Sequence, residues 1–560
     1  MIQKEYKKQT RAQESTNAIE KLYISMRHLF SRGFYKPMGV SGQTLRKSLL
    51  LLRPEIYGSI AEDRVELNGL VYVIERLPEG IEECQFINLT ANEGYVNSHF
   101  KIIIPQKRRR NCYRIDKDQM NIEITRGRSE IYDMLTHLTF LFIESHKIKE
   151  RVLIDMGTNT IREWIHLEDI VLNNKLLDDT QREITIAHLG NILGRTYDEV
   201  ADTYDILSSN ENPDRFFQII YWLGKLAMNE GLHQRKRTIT FSSVLHESIG
   251  HHIYGEIWAN NVKKVLKEKG LLERPIHIIS ANMHSVLNTI YAPNALPKQA
   301  EEYQGFELFQ LLSNKESKSL FTKIKEYASK NGLVYIKDTS GANINVQVID
   351  TAKINFDQIR FTKVNSKGSN PVIVVMDYAF GEQAYEIMDE LLKPYKDGKS
   401  TTHLDVVSIS IMGKAGILEG GKGDIMIPTA HVFEGTADNY PFKNELSKED
   451  LEGFGVTSFD GTMVTVLGTS LQNKDLLRFF HDSTWNVIGL EMEGAHYQKA
   501  IQSASKIRGN ISENVKVRYA YYASDNPLET GATLASGGLG MTGIIPTYAI
   551  TQRILEQIFK

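Results

Sequence analysis

Cysteine is scarce in this chain. Its 560 residues include two cysteines, Cys84 and Cys112. Two cysteines cannot form a disulfide framework, and this pair supplies no Cys-x-x-Cys motif for a metal. A reducing compartment suits such a composition. We therefore expect a cytoplasmic protein, and we predict neither a metal site nor another cofactor.

Long apolar runs are also lacking. The longest, Leu135–Ile143, is interrupted by His137 and Thr139. It falls far short of the ~20 residues that span a bilayer, so we expect no membrane partner. The segment Met1–Gln13 is polar and charged and lacks the apolar core of a secretory signal, so we do not expect export.

Neither sign of charge is in excess. The sequence has 66 Lys and Arg against 69 Asp and Glu, a formal net charge of -3. Such a balance creates no overall field that attracts nucleic acid or an anionic membrane. We therefore predict no nucleic-acid partner, and any site for an anion must be local.

The length of the chain requires more than one hydrophobic core, because single cores stop growing beyond about 250–300 residues. From Ser15 to Leu232 the apolar residues recur mostly at helical spacing, whereas beyond Pro275 short apolar runs alternate with helical patterns. We predict a mainly α-helical domain over residues 1–270 and an α/β domain over residues 271–560. The helical domain is expected to regulate, to oligomerise or to gate the substrate.

The predicted helical domain carries a small β insertion over Val65–Ile104, with strands at Leu70–Ile74 and Phe100–Ile104. The basic run Lys107–Arg110 follows it. Such a run can contact phosphate or nucleic acid, but a solvated loop is the favoured interpretation.

The segment His246–His252 resembles the helix of a zinc protease, but it fails on spacing. That chemistry needs histidines four residues apart on one helical face, and Gly250 occupies the second position. Glu247 and His251 do share a face, which leaves a polar contact between helices or a metal contact open.

In the α/β domain the pattern predicts strands separated by helices, and it favours a mainly parallel sheet. The predicted strands are 276–279, 333–336, 346–349, 372–376, 406–412, 424–427, 463–467, 487–490 and 515–522. The predicted helices between them include 383–392, 474–480 and 494–505.

Two acidic motifs stand at the ends of strands in this domain. Glu491-Met492-Glu493-Gly494 closes the run 485–490, and Ser524-Asp525-Asn526-Pro527 closes the run 515–523. Ligands of open α/β sheets bind outside the carboxyl ends of the strands. The motifs therefore predict a site with two carboxylates, although either motif alone could be only a helix cap or a solvated turn.

Two further segments support a ligand site. The strand 372–376 leads through Tyr378-Ala379-Phe380-Gly381 into a helix, which brings backbone N–H groups towards a ligand. The strand that begins at Val406 leads into Gly413-Lys414-Ala415-Gly416, predicted as a turn. Gly381, Gly413 and Ser524 are predicted to line the substrate site.

In this order the segments resemble the purine nucleoside phosphorylase superfamily, which includes methylthioadenosine and AMP nucleosidases. The resemblance covers roughly residues 370–555. It implies a three-layer domain on a mixed sheet, a purine nucleoside or nucleotide as ligand, and a homo-oligomer. It also implies that Glu493 accepts hydrogen bonds from the ribose hydroxyls, that Met492 lies against the sugar, and that Asp525 acts at N7 of the purine.

The expected chemistry suits those roles. Cleavage of an N-glycosidic bond builds positive charge on the sugar and negative charge on the base. An ionised Glu493 can stabilise the sugar, and a protonated Asp525 can donate its proton to the base. On a strand Glu491 faces the same side as Glu493, so it can be a second sugar ligand or a neighbour that shifts a pKa.

The sequence also departs from the resemblance. Phosphorylases of that superfamily carry an Arg and a Ser where this chain has Ile411 and Lys414, so we expect hydrolysis rather than phosphorolysis. Lys414 could instead hold a 5′-phosphate. His284 is the candidate base for activating water, although a histidine without a catalytic role is the favoured interpretation. The expected stacking aromatic residue is missing, which leaves Leu471 or a distant Phe or Tyr to cover the base. A phosphate-dependent phosphorylase and a non-catalytic nucleoside sensor stay open as alternatives.

Overall fold

The protein is described from a computed structural model. It covers residues 10–154, 159–233, 235–356, 359, 370–398, 400–436, 438–529 and 539–560. The contacts divide the chain into two compact units. Unit 1 comprises the chain up to Thr125, Glu130–His251 and Ser470–Leu476, and unit 2 comprises Arg126–Ser129, His252–Thr469 and Leu477–Lys560. The domain boundary expected at about residue 270 stays a prediction.

Unit 1 combines helices with a six-stranded sheet in the order β1-β8-β2-β5-β4-β3. Its helices are α1 Arg11–Arg32, α2 Gln43–Leu52, α3 Leu67–Ile74, α4 Gly127–Val152, whose first turn belongs to unit 2, α5 Arg162–Leu172, α6 Asp179–Leu193, α7 Tyr197–Leu207, α8 Arg215–Leu232 and α9 Ser243–Gly250. Its strands are β1 Phe34–Tyr35, β2 Phe86–Thr90, β3 Ile102–Ile103, β4 Cys112–Asp116, β5 Gln119–Glu123, the paired β6 Leu153–Ile154 and β7 Asn159–Thr160, and β8 Thr238–Phe241.

The β structure of unit 1 corrects the sequence prediction. Leu70–Ile74 lies in α3 and not in a strand, because the Glu66 side chain caps that helix by accepting a hydrogen bond from Gly69 N. A short apolar run suits a buried helix as well as a strand. Of the predicted strand Phe100–Ile104, only Ile102–Ile103 is extended.

The basic run Lys107–Arg110 is not simply a solvated loop. Arg108 and Arg110 each place a guanidinium nitrogen 3.1 Å from an Asp133 carboxylate oxygen, and Arg110 also pairs with Glu130 at 3.3 Å. Arg110 is buried. Buried ions must be paired, so these two arginines belong to an internal ion network.

The histidine-rich segment also has an internal contact. His246 Nε2 lies 2.9 Å from the Phe30 carbonyl oxygen, and the two rings stack at 4.3 Å. Among the residues that the structure describes, no three His, Cys, Asp or Glu side chains are grouped closely enough to hold a metal ion. No helix of the described segments is both long and apolar enough to cross a membrane.

Unit 2 is built on a ten-stranded sheet covered by helices. Its helices are α10 Ile253–Glu268, α11 Met283–Ala295, α12 Pro297–Glu302, α13 Glu307–Ser313, α14 Lys318–Lys330, α15 Gln383–Leu391, α16 Lys474–Asp482, which begins in unit 1, α17 Gly494–Gln502 and α18 Ile544–Phe559. Its strands are β9 Ile276–Ser280, β10 Leu333–Ile336, β11 Val346–Asp350, β12 Val372–Met376, the paired β13 Tyr395–Asp397 and β14 Ser400–Thr402, β15 Val406–Ile417, β16 Ile425–Phe433, β17 Asn439–Pro441, β18 Ser458–Thr465, β19 Val487–Glu491 and β20 Lys516–Asp525.

The strand order is β10-β11-β12-β9-β15-β19-β18-β16-β17, with β20 paired to both β15 and β16. The strands β15, β19, β18, β16 and β20 therefore close into a ring. β9 is parallel to β12 and β15, and β15 is parallel to β20, whereas β15 and β19 are antiparallel. The sheet is mixed, as the predicted fold class requires: among the described strands five pairings are parallel and five are antiparallel.

Every predicted strand of the α/β region overlaps an observed one. The central strands β9 and β12 are buried along their whole length, which explains their continuous apolar runs. The prediction ended too early for β15, β16 and β20, which extend to Ile417, Phe433 and Asp525. The Gly413–Gly416 segment is not a tight turn, because β15 continues through it with a bulge between Ala415 and Gly416.

Candidate functional site

The first acidic motif lies where β19 leads into α17. Glu491 is buried, and its Oε2 accepts hydrogen bonds from the backbone N–H groups of Glu493 and Gly494, the latter at 2.5 Å. Thr465 Oγ1 donates to Glu491 Oε1 at 2.5 Å. Burial, followed by the nearby Glu493 carboxylate, raises the pKa of Glu491 to about 8. Glu491 thus pairs with the N–H group of Gly494, the first residue of α17, and its predicted role as a second sugar ligand stays a prediction.

Glu493 is half-buried and stands directly before α17. Its Oε1 accepts a hydrogen bond from Gly381 N at 2.8 Å, and its Oε2 accepts one from Met492 N at 3.3 Å. Burial raises the pKa of Glu493 to about 7, and these N–H groups together with the Arg126 charge act against that rise. The carboxylate is therefore held in one place and titrates near neutral pH.

Gly381 belongs to the loop between β12 and α15. Its φ of +55° is a left-handed conformation that side chains rarely adopt. A Cβ atom at this position would lie 2.3 Å from Ser129 Oγ and 3.7 Å from Met492 Cε. Glycine is therefore required here both by its backbone conformation and by the close approach of Ser129.

A four-residue segment, Arg126–Ser129, holds the same loop. Ser129 Oγ accepts a hydrogen bond from Glu382 N at 2.8 Å, and Arg128 forms an ion pair with Glu382 at 2.9 Å. The Arg126 guanidinium carbon lies 4.6 Å from the centre of the Phe380 ring, within cation–π range. The sequence prediction missed this segment. The only local feature that marks it is its position at the start of the long helix α4.

The second acidic motif ends β20. Asp525 is the register partner of Gly416 in β15, and Gly416 is also the partner of Leu490 in β19. Leu490, which directly precedes the first motif, and Asp525 of the second therefore flank one residue of β15. Since neighbouring strands lie about 4.8 Å apart, Leu490 and Asp525 are separated by roughly two such spacings.

Ser524 accompanies Asp525. Its Oγ lies 2.5 Å from Asp525 Oδ1 and 3.1 Å from the Ala415 carbonyl oxygen. A hydroxyl carries one hydrogen and can also accept. If Ser524 donates to the Ala415 carbonyl oxygen, it can accept a hydrogen bond from a protonated Asp525. If Asp525 is ionised, Ser524 can donate its hydrogen bond to Asp525 instead. The pair accommodates both protonation states.

The predicted residues Gly413 and Lys414 lie inside β15. A Cβ atom at Gly413 would lie 3.6 Å from a ring carbon of Tyr378, and Lys414 is the register partner of Tyr522. The two tyrosine hydroxyls are 3.3 Å apart. Gly413 thus faces the loop that carries Gly381, while Lys414 is exposed.

His284 lies at the start of α11, where the Asn282 side chain accepts a hydrogen bond from His284 N at 2.9 Å. Its ring is exposed and meets Phe321 edge-on at 4.9 Å. Partial burial and the Lys325 charge lower the pKa of His284. A lowered pKa favours the neutral ring, which is able to accept a proton.

A cavity of about 830 Å³ lies beside this histidine. Its described lining includes His284, Lys414 and Tyr522, and does not include Glu493 or Asp525. The structure thus brings Lys414 and His284 to one cavity, and it brings the two acidic motifs together at the end of β15.

The predicted base-covering residue, Leu471, is buried in a short 3₁₀ turn, Thr469–Leu471. Its contacts assign it to unit 1. Its predicted position against a purine ring therefore stays a prediction.

Several solved structures are similar to part of this chain. The 5′-methylthioadenosine/S-adenosyl homocysteine nucleosidase of Campylobacter jejuni has 12% sequence identity and a TM-score of 0.30, over 51% of this chain and 98% of that one. A futalosine hydrolase mutant of Helicobacter pylori has 13% identity and a TM-score of 0.30, with 51% and 98% covered. Isoform 2 of uridine phosphorylase from Schistosoma mansoni has 11% identity and a TM-score of 0.30, with 55% and 90% covered.

The curated proteins include no match to this chain. One family model does match, over residues 43–302 and 294–560, and its description is "Family of unknown function (DUF6909)". Because the two matches span most of the sequence, the chain belongs to this family of unknown function.

Proposed function

We propose that unit 2 cleaves the N-glycosidic bond of a purine nucleoside or nucleotide, with water as the nucleophile. The observation that carries the proposal is the pairing of Gly416. On one side it pairs with Leu490, which directly precedes the first acidic motif, and on the other side it pairs with Asp525 of the second motif. The motifs themselves, Glu491–Gly494 and Ser524–Asp525, are those that resemble the nucleoside phosphorylase superfamily.

Glu493 is proposed to bind the ribose hydroxyls. Two backbone N–H groups orient its carboxylate. The side chain is therefore ordered before a ligand arrives, and binding costs little additional side-chain entropy. A carboxylate in this place stabilises the positive charge that develops on the sugar as the bond breaks. Met492, whose methyl group approaches Gly381, is proposed to lie against the sugar.

Asp525 is proposed to act as the general acid. As the glycosidic bond breaks, its electron pair moves to the purine, and a proton from Asp525 neutralises the negative charge that develops there. Such transfer is typically worth ~10²- to 10⁴-fold in rate. Ser524 supports this role because its hydroxyl can accept from the protonated carboxyl and then donate to the ionised one.

Hydrolysis is favoured by the residues on β15. Ile411 is buried within the strand, and Lys414 is directed to the cavity of His284. Neither residue reproduces the Arg and Ser that phosphorylases use for inorganic phosphate. His284 is proposed as the base that activates water, since it is exposed and its lowered pKa favours the neutral ring.

Phosphorolysis is the second candidate, and Arg126 is the observation that favours it. This guanidinium stacks on Phe380 and acts electrostatically on Glu493. It could therefore contact an anionic nucleophile beside the sugar. In that case turnover would require added phosphate.

The test is to incubate the protein with AMP, adenosine, inosine and methylthioadenosine, with and without phosphate, and to measure free base by chromatography. Release without phosphate supports hydrolysis, and release only with phosphate supports phosphorolysis. Asp525→Asn should abolish release while calorimetry still shows binding. Asp482→Asn, an exposed aspartate, is the matched control. Full turnover by Asp525→Asn removes Asp525 from the mechanism, and binding without release by the unmodified protein leaves a nucleoside sensor.

A further inference from the structure

The cavity beside α11 has features that the carboxylate chemistry does not explain. Its volume of about 830 Å³ lies within the range of pockets that hold small organic ligands. Three lysines line it, Lys318 and Lys325 from α14 and Lys414 from β15. The described residues that line it include no aspartate or glutamate.

The three lysines line the same cavity from two different elements. Lys318 and Lys325 are seven residues apart on α14, a spacing that puts both on one helical face. Lys414 reaches the same cavity from the sheet. None of the three forms an ion pair with a carboxylate of the described segments. Their charges are therefore available to an anion.

The first turn of α11 adds to this field. Asn282, His284 and Ser285 all line the cavity, and α11 extends over 13 residues. The N-terminus of such a helix carries partial positive charge, which favours phosphate.

A buried amide provides an independent sign of a ligand. Asn288 lines the cavity and is 1% exposed. Its Nδ2 donates to Tyr548 Oη at 2.8 Å, but its Oδ1 has no hydrogen-bond partner within the described structure. Buried polar atoms are rarely left unpaired. A ligand hydroxyl or amino group would satisfy this acceptor, so the ligand should combine an anionic group with a hydrogen-bond donor.

The cavity also adjoins the carboxylate site. Lys414 precedes Gly416, the residue between the two acidic motifs, by two positions of β15. Tyr522 lines the cavity, and its hydroxyl lies 3.3 Å from that of Tyr378, in the loop that leads to Gly381. A substrate bound by its sugar at Glu493 could therefore extend a substituent towards the lysines.

We infer that this lysine-lined cavity binds the phosphate group of a nucleoside monophosphate, so that the substrate is a nucleotide and not a free nucleoside. The inference rests on the proposed function for the position of the sugar and base. The phosphate site itself rests on the three lysines, the α11 N-terminus and Asn288.

The experiment measures binding of AMP, adenosine and inorganic phosphate to the full chain by calorimetry. Charge-assisted hydrogen bonds are worth about 1.5–3 kcal/mol, so AMP should bind roughly ten-fold or more tightly than adenosine. The double variant Lys318→Gln/Lys325→Gln should lose most of that advantage and leave adenosine affinity unchanged. The matched control is Lys323→Gln/Lys330→Gln, which removes two exposed lysines of the same helix and should change neither affinity.

The outcomes separate the two proposals. AMP binding that depends on Lys318 and Lys325, without release of base, supports the phosphate site and contradicts the proposed reaction. Release of base from adenosine and AMP at equal efficiency and affinity supports the reaction and overturns the phosphate site. An equal loss of AMP affinity in the control variant also overturns it, because the effect would then be one of overall charge.

Discussion

The replacement Gly381→Ala tests the geometry that holds Glu493. The new methyl group would lie 2.3 Å from Ser129 Oγ and 2.6 Å from Ser129 Cβ, whereas carbon atoms in contact are about 3.5–4.0 Å apart. The loop or the start of α4 must therefore move by roughly 1 Å, and the Gly381 N–H that donates to Glu493 moves with it.

The expected cost has two parts. A left-handed conformation costs an alanine roughly 1–2 kcal/mol, and overpacking typically costs about 1–3 kcal/mol. We therefore expect a loss of about 2–5 kcal/mol in the local free energy of opening. Because the chain has two units, one global unfolding free energy is not well defined. Hydrogen exchange of amides in residues 372–391 measures the local value.

A control and a rescue separate the two parts. Gly509 has a φ of +62° with no atom within 4 Å of an added Cβ, so Gly509→Ala should show the conformational cost alone. Ser129→Gly combined with Gly381→Ala should recover the overpacking part, with a coupling energy of about 0.5–3 kcal/mol. Equal losses in Gly381→Ala and Gly509→Ala, or no recovery in the double variant, would refute the reasoning. Nucleoside affinity should fall with Gly381→Ala and return with the rescue.

Two titrations give further predictions. Arg126→Gln removes a charge that opposes the rise in the Glu493 pKa, so the pH at which nucleoside affinity appears should move above about 7. Calorimetry from pH 6 to 9 checks this, and Arg478→Gln, at an exposed site, should leave that midpoint in place. Burial raises the pKa of Glu434 to about 8, above the value in the unfolded chain. Its stabilising contribution is therefore present at low pH and lost as the pH rises through about 8. Hydrogen exchange near β16 should show a smaller loss of protection from pH 6 to 9 in Glu434→Gln than in the unmodified protein, and an equal loss in both would contradict this.

Much of unit 2 could be predicted because its strands are buried on both sides. Val372–Met376 is apolar throughout for that reason, and its strand is confirmed. Periodicity was insufficient where a run is short: Leu70–Ile74 became a helix because Glu66 caps it. Gly413–Gly416 has the composition of a turn, yet pairing with β20 extends it as a strand.

The residues of the candidate site also fall into those that the sequence could predict and those that it could not. Glu493 and Asp525 could be proposed from local motifs at strand ends, and the structure then places the ends of these strands around Gly416. Ser129 could not be proposed, since it meets Glu382 across 253 positions of sequence. The lysines of α14 could not be proposed either, because an exposed lysine on a helix normally indicates only a solvated face.

The sequence by itself determined which segments form the α/β unit and which carboxylates stand at the ends of its strands, because burial and chain direction leave local patterns. Only the tertiary structure decided that Arg126–Ser129 supports the loop of Gly381 and that three lysines share one cavity. Those arrangements depend on contacts between distant parts of the chain, and the energy of such contacts leaves no periodic pattern in the residues that make them.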